Sequence, residues 1–284
     1  MKKIFIYILL VFIGLVVISL VVFVDKKINH HNNSTIDETS NKLALLNNID
    51  KKIDYFNYKY LDRYIDYKNK CSNISDVDVV TRVNLGLDNP FYQNTRQSTY
   101  LNSSSILVNK YIYLPEDYIP KDLVEISNKF SNSTRLLVYE AKEAFEKMAN
   151  DALKENLNIR VISSYRSYEY QTTLYNNYVE KDGVEVADTY SARPGFSEHQ
   201  TGLVIDIDNI KTSFENFENT EEFTWMINHA HEYGFILRYP KGKENITGYN
   251  YESWHYRYVG KKIANFIVSN NLTFDEYFIR YIDK

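Results

Sequence analysis

The 21 residues from Ile4 to Val24, "IFIYILLVFIGLVVISLVVFV", carry no charge, and they limit what the chain can fold into more than any other stretch does. As a helix they span about 31 Å, which matches a hydrocarbon core of roughly 30 Å. The competing reading is a cleaved signal peptide, whose apolar region runs about 7–15 residues and ends in small residues. This run is longer and ends in "FVDKK", so an uncleaved anchor over residues 4–24 is expected. Lys2 and Lys3 precede the run, while Asp25, Lys26 and Lys27 follow it. Charge asymmetry therefore says little about orientation. With a short leading flank and no second apolar span, the N-terminus is expected inside and everything after Val24 outside, as a single-pass protein of the cell membrane.

An extracytoplasmic domain with one cysteine, Cys71, can form no internal disulfide, so a core or a metal must hold it. With 44% hydrophobic residues in 284, a core is affordable. Beyond the anchor the chain carries 31 basic and 37 acidic residues, a formal charge of −6. A basic face for nucleic acid is not expected.

After the anchor, "INHHNNSTIDETSNK" is polar and lacks large apolar residues, which marks a flexible linker. His30 and His31 within it are read as solvated. From Leu46 the apolar positions Ile49, Ile53, Phe56 and Tyr60 step by three and four, predicting an amphipathic helix over 46–60. "VDVVTRVNLGL" (77–87) is expected as a strand and residues 134–156 as a helix with Leu137, Ala141, Ala144, Phe145 and Met148 on one face. "LNIRVISSYRS" then reads as a buried strand, "SYEYQTTLYNNYVEK" as a second helix, and 220–233 as a third. Helices and strands without regular alternation predict an α+β fold: an antiparallel sheet with flanking helices, preceded by the N-terminal transmembrane helix.

"SEHQTGLVID" places His199 and Asp206 seven residues apart around a glycine. A catalytic zinc takes three nitrogen or oxygen ligands and leaves a fourth position open. His255 in "YESWHYRYVG" is the best placed third ligand, because Glu252 lies three residues before it as a spare carboxylate that could serve as base. His229 and His231, two apart on a helix, face different sides and are read as structural. Each short motif is weak alone, but together they supply two imidazoles, a carboxylate ligand and a free carboxylate.

These residues resemble a known family. "SEHQTGLVID" fits S-x-H-x-x-G-x-x-x-D and "ESWH" fits E-x-W-H, the two signatures of the VanY-like zinc D-alanyl-D-alanine carboxypeptidases, of the LAS-type metallopeptidase fold. "LVNKYIYLPEDY", "VISSYRSYEYQTTLYNNYV" and "YGFILRYPKGKENITGYNYESWHYRYVG" extend the resemblance over residues 106–284. It implies Zn2+ held by His199, Asp206 and His255, with Glu252 as general base and Arg166 stabilising the oxyanion. It also implies Gln171, Ser191 and Ser197 as donors to the peptide's end, and Trp254 as a wall. Departures are Phe196 where relatives often have histidine, Ser253 where proline is frequent, and Val204 where alanine is common.

The expected organisation is an anchor with its cytoplasmic tip over 1–24, a linker, amphipathic helix and extension over 25–105, and a zinc carboxypeptidase domain over 106–284. The expected reaction removes the terminal D-alanine from peptidoglycan stem peptides, by a monomer tethered beside nascent wall. The alternatives are an L,D-carboxypeptidase, an endopeptidase or dipeptidase, and a non-catalytic zinc-containing wall-binding module. Intact Glu252 argues against the last, since a structural zinc closes all four positions with protein. No S-x-x-K with K-T-G is present, which excludes a penicillin-binding serine enzyme.

Overall fold

The computed structural model describes residues 17, 19–28, 37–209 and 211–283. Most of the apolar run lies outside them. Its described part is helical, with Leu20 to Val24 exposed, and no described helix is long and apolar enough to cross a membrane. His30 and His31 also lie outside the described residues. The chain divides into two compact units, Met1–Val80 and Thr81–Lys284.

In the first unit the helix expected over 46–60 is broken. Asn47 and Asn48 both take left-handed backbone (φ 51°), and the short 3-10 turns Ile49–Lys51 and Tyr58–Tyr60 follow before a regular helix starts at Leu61 and runs to Lys70. Asparagine tolerates that conformation better than most residues, so the pair ends one helical stretch rather than continuing it. Leu46 and Ile49 are still buried. Three-and-four spacing reported burial correctly here and helicity wrongly.

The segment expected as a strand over 77–87 is instead a helix, α1 (Asp76–Leu85). Ser75 caps it: its Oγ accepts from the Asp78 backbone N–H at 3.1 Å and donates to the Asp78 carboxylate at 2.7 Å. That side-chain cap, with Asp76 and Asp78 in the first turn, outweighs the strand preference of four valines.

The second unit begins at Thr81, before the expected boundary at 106. Residues 81–105 are tied into it: β1 (Arg96–Gln97) pairs with β2 (Ile112–Tyr113), and Arg96 forms an ion pair with Asp283. A hairpin of β3 (Leu123–Glu125) and β4 (Leu136–Val138) precedes α2 (Tyr139–Lys154), so the expected helix loses its first turns to a strand. Then come β5 (Arg160–Ser163), α3 (Tyr168–Asp182), α4 (Val184–Tyr190), β6 (Val204–Asp208), α5 (Glu221–His229), β7 (Phe235–Leu237) and β8 (His255–Tyr258).

The central sheet is antiparallel, in the order β5-β6-β8-β7, as expected. Strand alternation gives it two different faces. Val161, Ile205, Ile207, Tyr256 and Tyr258 join one core with Ala141, Phe145, Met148, Ala149 and Ala152 of α2. The intervening residues, Asp206, His255 and Arg257 among them, face the other way.

Candidate metal centre

Sheet register builds the site. Asp206 on β6 pairs directly with His255 on β8 and, on its other side, with Ser163 at the end of β5. A bulge between Val161 and Ser163 turns the chain just before Ser164 and Arg166. His199 arrives from a 3-10 turn, Glu198–Thr201, that ends at Gly202 in left-handed backbone (φ 66°). That backbone favours glycine, and a Cβ there would also press on Leu123 Cδ2 at 2.8 Å.

One ligand atom from each of His199, Asp206 and His255 lies within 4.8 Å of the others, and all three residues are buried. His199 Nδ1 donates to the Ser164 carbonyl at 2.6 Å, which leaves Nε2 bare toward Asp206 Oδ2 at 3.3 Å. His255 Nδ1 lies 3.2 Å from Asp206 Oδ1 and 3.3 Å from Glu252 Oε2. Asp206 Oδ1 is buried and accepts no hydrogen bond. Two imidazole nitrogens and an under-satisfied carboxylate, with a further carboxylate beside them, fit a divalent cation of the zinc type with an open position.

Charge accounts for the protonation states. Burial, helped by Arg166, pushes His199 down to about 4, so it is the neutral imidazole a metal needs. Burial alone would lower His255, but the Asp206, Glu198 and Glu252 carboxylates outweigh it and hold the ring well above its ordinary value. Burial drives Asp206 up, and the His199 imidazole, His255 and Arg166 drive it down by more. Burial raises Glu252, with His255 opposing. A carboxyl with raised proton affinity beside the ligands is what a general base near neutrality needs.

The structure brings every expected site residue to one cavity of about 540 Å³, lined by Arg166, Gln171, Ser191, Ser197, His199, Asp206, Glu252, Trp254 and His255. Arg166 is oriented by bonds from Nη2 to Asp206 Oδ2 (2.9 Å) and Ser163 Oγ (2.8 Å). Trp254 packs edge-on against Phe214 at 4.9 Å. Gln171 differs from expectation: its Nε2 donates to the Ala192 carbonyl at 2.8 Å, and Oε1 has no partner. Nε2 also donates to Ser191 Oγ at 3.5 Å, so both amide hydrogens are held within the protein and the expected donor role is not seen. His229 stacks on Trp225 at 4.8 Å, and neither it nor His231 lines the cavity.

Sequence reasoning missed Glu198. Its Oε1 accepts from Arg238 Nε and Arg257 Nη1, both at 2.9 Å, and its Oε2 lies 3.9 Å from His255 Nε2. Arg238 continues to Asp275 at 2.6 Å, and Asp275 accepts from Asn109 at 2.8 Å. All four charged side chains are almost wholly buried. Burial pushes Glu198 up, but Arg238 and Arg257 prevail and hold it at about 2. The available signal was Arg257, two residues beyond His255 and so on the same strand face.

These features define a metallopeptidase-like centre on an α+β scaffold. The sequence profile of the VanY family, D-alanyl-D-alanine carboxypeptidase, matches residues 134–261. The bifunctional D-Ala-D-Ala dipeptidase and D-Ala-D-Ala carboxypeptidase VanXYC of Enterococcus gallinarum is 32% identical over 60% of this chain and 91% of its own length. The chain belongs to this VanY family. It is 45% identical to the putative carboxypeptidase YodJ of Bacillus subtilis (strain 168), over 61% of this chain and 66% of that protein, just under two thirds of the relative's length. Among solved structures, the LdcB LD-carboxypeptidase matches with TM-score 0.62 and 40% identity, covering 66% of this chain and 91% of that one. A variant of the vancomycin-resistance D,D-pentapeptidase VanY, in complex with Zn(II), matches with TM-score 0.54 and 32% identity, covering 62% and 98%.

Replacing Glu198 with Ala leaves Arg238 with Asp275 alone and the buried Arg257 with no carboxylate, and should destabilise the metal-free protein by about 3–5 kcal/mol, read as a lowered denaturant midpoint at unchanged slope. A loss below about 1 kcal/mol, the range of exposed pairs, would show that the two guanidinium groups do not depend on Glu198.

Proposed function

We propose that this chain is a zinc-dependent D,D-carboxypeptidase that removes the terminal D-alanine from peptidoglycan stem peptides, held at the outer face of the membrane by residues 4–24. The convergence of His199 Nε2, Asp206 and His255 Nδ1, with Glu252 3.3 Å from His255, carries the reading. Bound zinc supplies a Lewis acid at the end of the cavity. Glu252 accepts the proton of the attacking water at its carboxylate and returns it to the departing amine. Arg166, braced on Asp206 and Ser163, meets the negative charge that develops on the scissile carbonyl oxygen. Trp254 and Phe214 wall the site against bulk water.

An L,D-carboxypeptidase acting on tetrapeptide stems is the second reading. It is favoured by the greater likeness to the LdcB LD-carboxypeptidase than to the D,D-pentapeptidase, 40% against 32% identity.

Replacing Asp206 with Ala should weaken metal binding. Replacing Glu252 with Ala should leave stoichiometric zinc in place while lowering kcat by about 10²–10⁴. Elemental analysis beside turnover checks both, and a Glu252→Ala protein with near-normal kcat would remove the general base from this site.

Incubated with stem peptides, residues 40–284 should release D-alanine from pentapeptides and spare tetrapeptides. Amidating the peptide's C-terminus should lower kcat/KM heavily. Release from tetrapeptides alone would establish the L,D reading, and equal cleavage of free and amidated peptides would mean an endopeptidase.

The anchor is supported by the charge-free run Ile4–Val24. N-terminal sequencing of protein from native membranes should find the run attached, whereas a mature chain starting near residue 26 would make it a cleaved signal.

A further inference from the structure

We propose that Lys110 is a positioning residue: its ammonium ties two walls of the cavity together and so sets how tightly the peptide is held, an inference that rests on reading the cavity as the peptide site. Lys110 is 2% exposed. Its Nζ donates to the backbone carbonyl of Asp188, in α4, three residues before Ser191 on the cavity wall. The same ammonium lies over the rings of Tyr249 at 4.4 Å, Phe91 at 4.5 Å and Tyr92 at 5.7 Å. Tyr249 also lines the cavity and stacks on Tyr239 at 4.8 Å, and Tyr239 stacks on His255 at 4.7 Å. One cation therefore joins the helix end behind Ser191 to a column of rings that ends on a proposed ligand.

The place is built for a lysine. Gly248, in left-handed backbone (φ 75°), leaves room where a Cβ would press on Lys110 Cδ at 3.1 Å and Phe91 at 3.0 Å. The Asp188 carboxylate is committed elsewhere, to Arg193 Nε and Nη2 at 3.1 and 2.8 Å and to the Tyr175 hydroxyl at 2.8 Å. That leaves Lys110 a carbonyl and ring faces, contacts that favour a desolvated cation. Neither Lys110 nor its ring partners Phe91 and Tyr92 fall in the segment 134–261 matched by the family profile.

The groups facing Lys110 are Asp188 and Arg193 from α4 and the loop after it, Tyr92 from the preceding segment, and Tyr249. Burial pushes the lysine down to about 8, with Asp188 opposing and Arg193 adding to the shift. Burial raises both Tyr92 and Tyr249, so they stay neutral near pH 8. As pH rises through about 8 the ammonium loses its proton and the attraction to the rings is lost. The native state does not weaken in that window. Because the folded value lies below the model value of 10.5, the native state binds fewer protons than the unfolded chain, and this group makes folding more favourable as pH rises from about 8 toward 10.5.

The test measures kcat and KM for D-alanine release between pH 6.5 and 9.5, with zinc content checked at each pH. In the unaltered protein KM should rise about tenfold through pH 8, the scale of a desolvated cation–ring contact, with kcat changing little through that step. Lys110→Met should show the high KM at every pH and no such step, with zinc still bound. Lys110→Arg, which keeps its charge, should also lack the step. An unaltered protein whose KM is flat through pH 8, or a step that persists in either variant, overturns the proposal, and the unaltered profile decides even if a variant fails to fold. Absence of any D-alanine release by the unaltered protein would instead fault the reading of the site.

Discussion

The register between β6 and β8 fixes the rest of the site. Asp206 and His255 are direct partners across adjacent antiparallel strands, with Ser163 abreast of them on β5. Side-chain direction alternates along a strand, so a slip of one residue would send Asp206 into the core and bring Ile205 or Ile207 to the cavity. What holds the register is the opposite face. Val161, Ile205, Ile207, Tyr256 and Tyr258 are buried against α2, and none could face solvent without losing that burial. The ligand set is thus a by-product of packing on the far side of the sheet, and only His199 needs a device of its own, the turn ending at Gly202.

The cavity face carries a second constraint. Arg257 points the same way as His255, and with Arg238 it brings two positive charges into the interior beside a site meant for a cation. Glu198 and Asp275 answer them one for one. Glu198 meets both arginines with Oε1, which leaves Oε2 toward His255 Nε2. That gap is 3.9 Å, beyond a hydrogen bond, so Glu198 acts on the ring through its charge, which with Asp206 and Glu252 raises the proton affinity of His255. The same residue therefore balances the buried arginines and adds its negative charge beside the proposed ligand His255, so the ion network and the metal centre are electrostatically linked.

The motif residues were legible because their chemistry is local in sequence. His199 and Asp206 sit in one ten-residue stretch and Glu252 and His255 in another, and the strongly periodic α2 and the β5 strand were equally readable. What was not legible depends on contacts between distant segments or on a competing local conformation. The Asn47–Asn48 pair broke a helix that the apolar spacing called for, and the Ser75 cap made a helix of a valine-rich stretch. Glu198 reads as an ordinary turn residue until Arg238 and Arg257, 40 and 59 positions away, are placed against it. Gln171 reads as a donor until the Ala192 carbonyl is seen to take its amide nitrogen.

The departures from the family's usual residues, Phe196, Ser253 and Val204, are neither proposed ligands nor lining residues of the cavity. Phe196, where relatives often carry histidine, packs against Tyr92 at 5.0 Å and Tyr113 at 5.7 Å, and Tyr92 in turn lies under the Arg193 guanidinium at 4.1 Å. Tyr92, Tyr113 and Lys110 all precede the matched segment 134–261. An aromatic residue at 196 thus joins the loop bearing Ser197 and His199 to a stretch of chain that the family profile does not describe. The proposed ligands His199, Asp206 and His255 all fall within the segment 134–261 that the family profile matches. Behind the cavity wall stand rings and a lysine, Tyr92, Tyr113 and Lys110, that come from residues before 134.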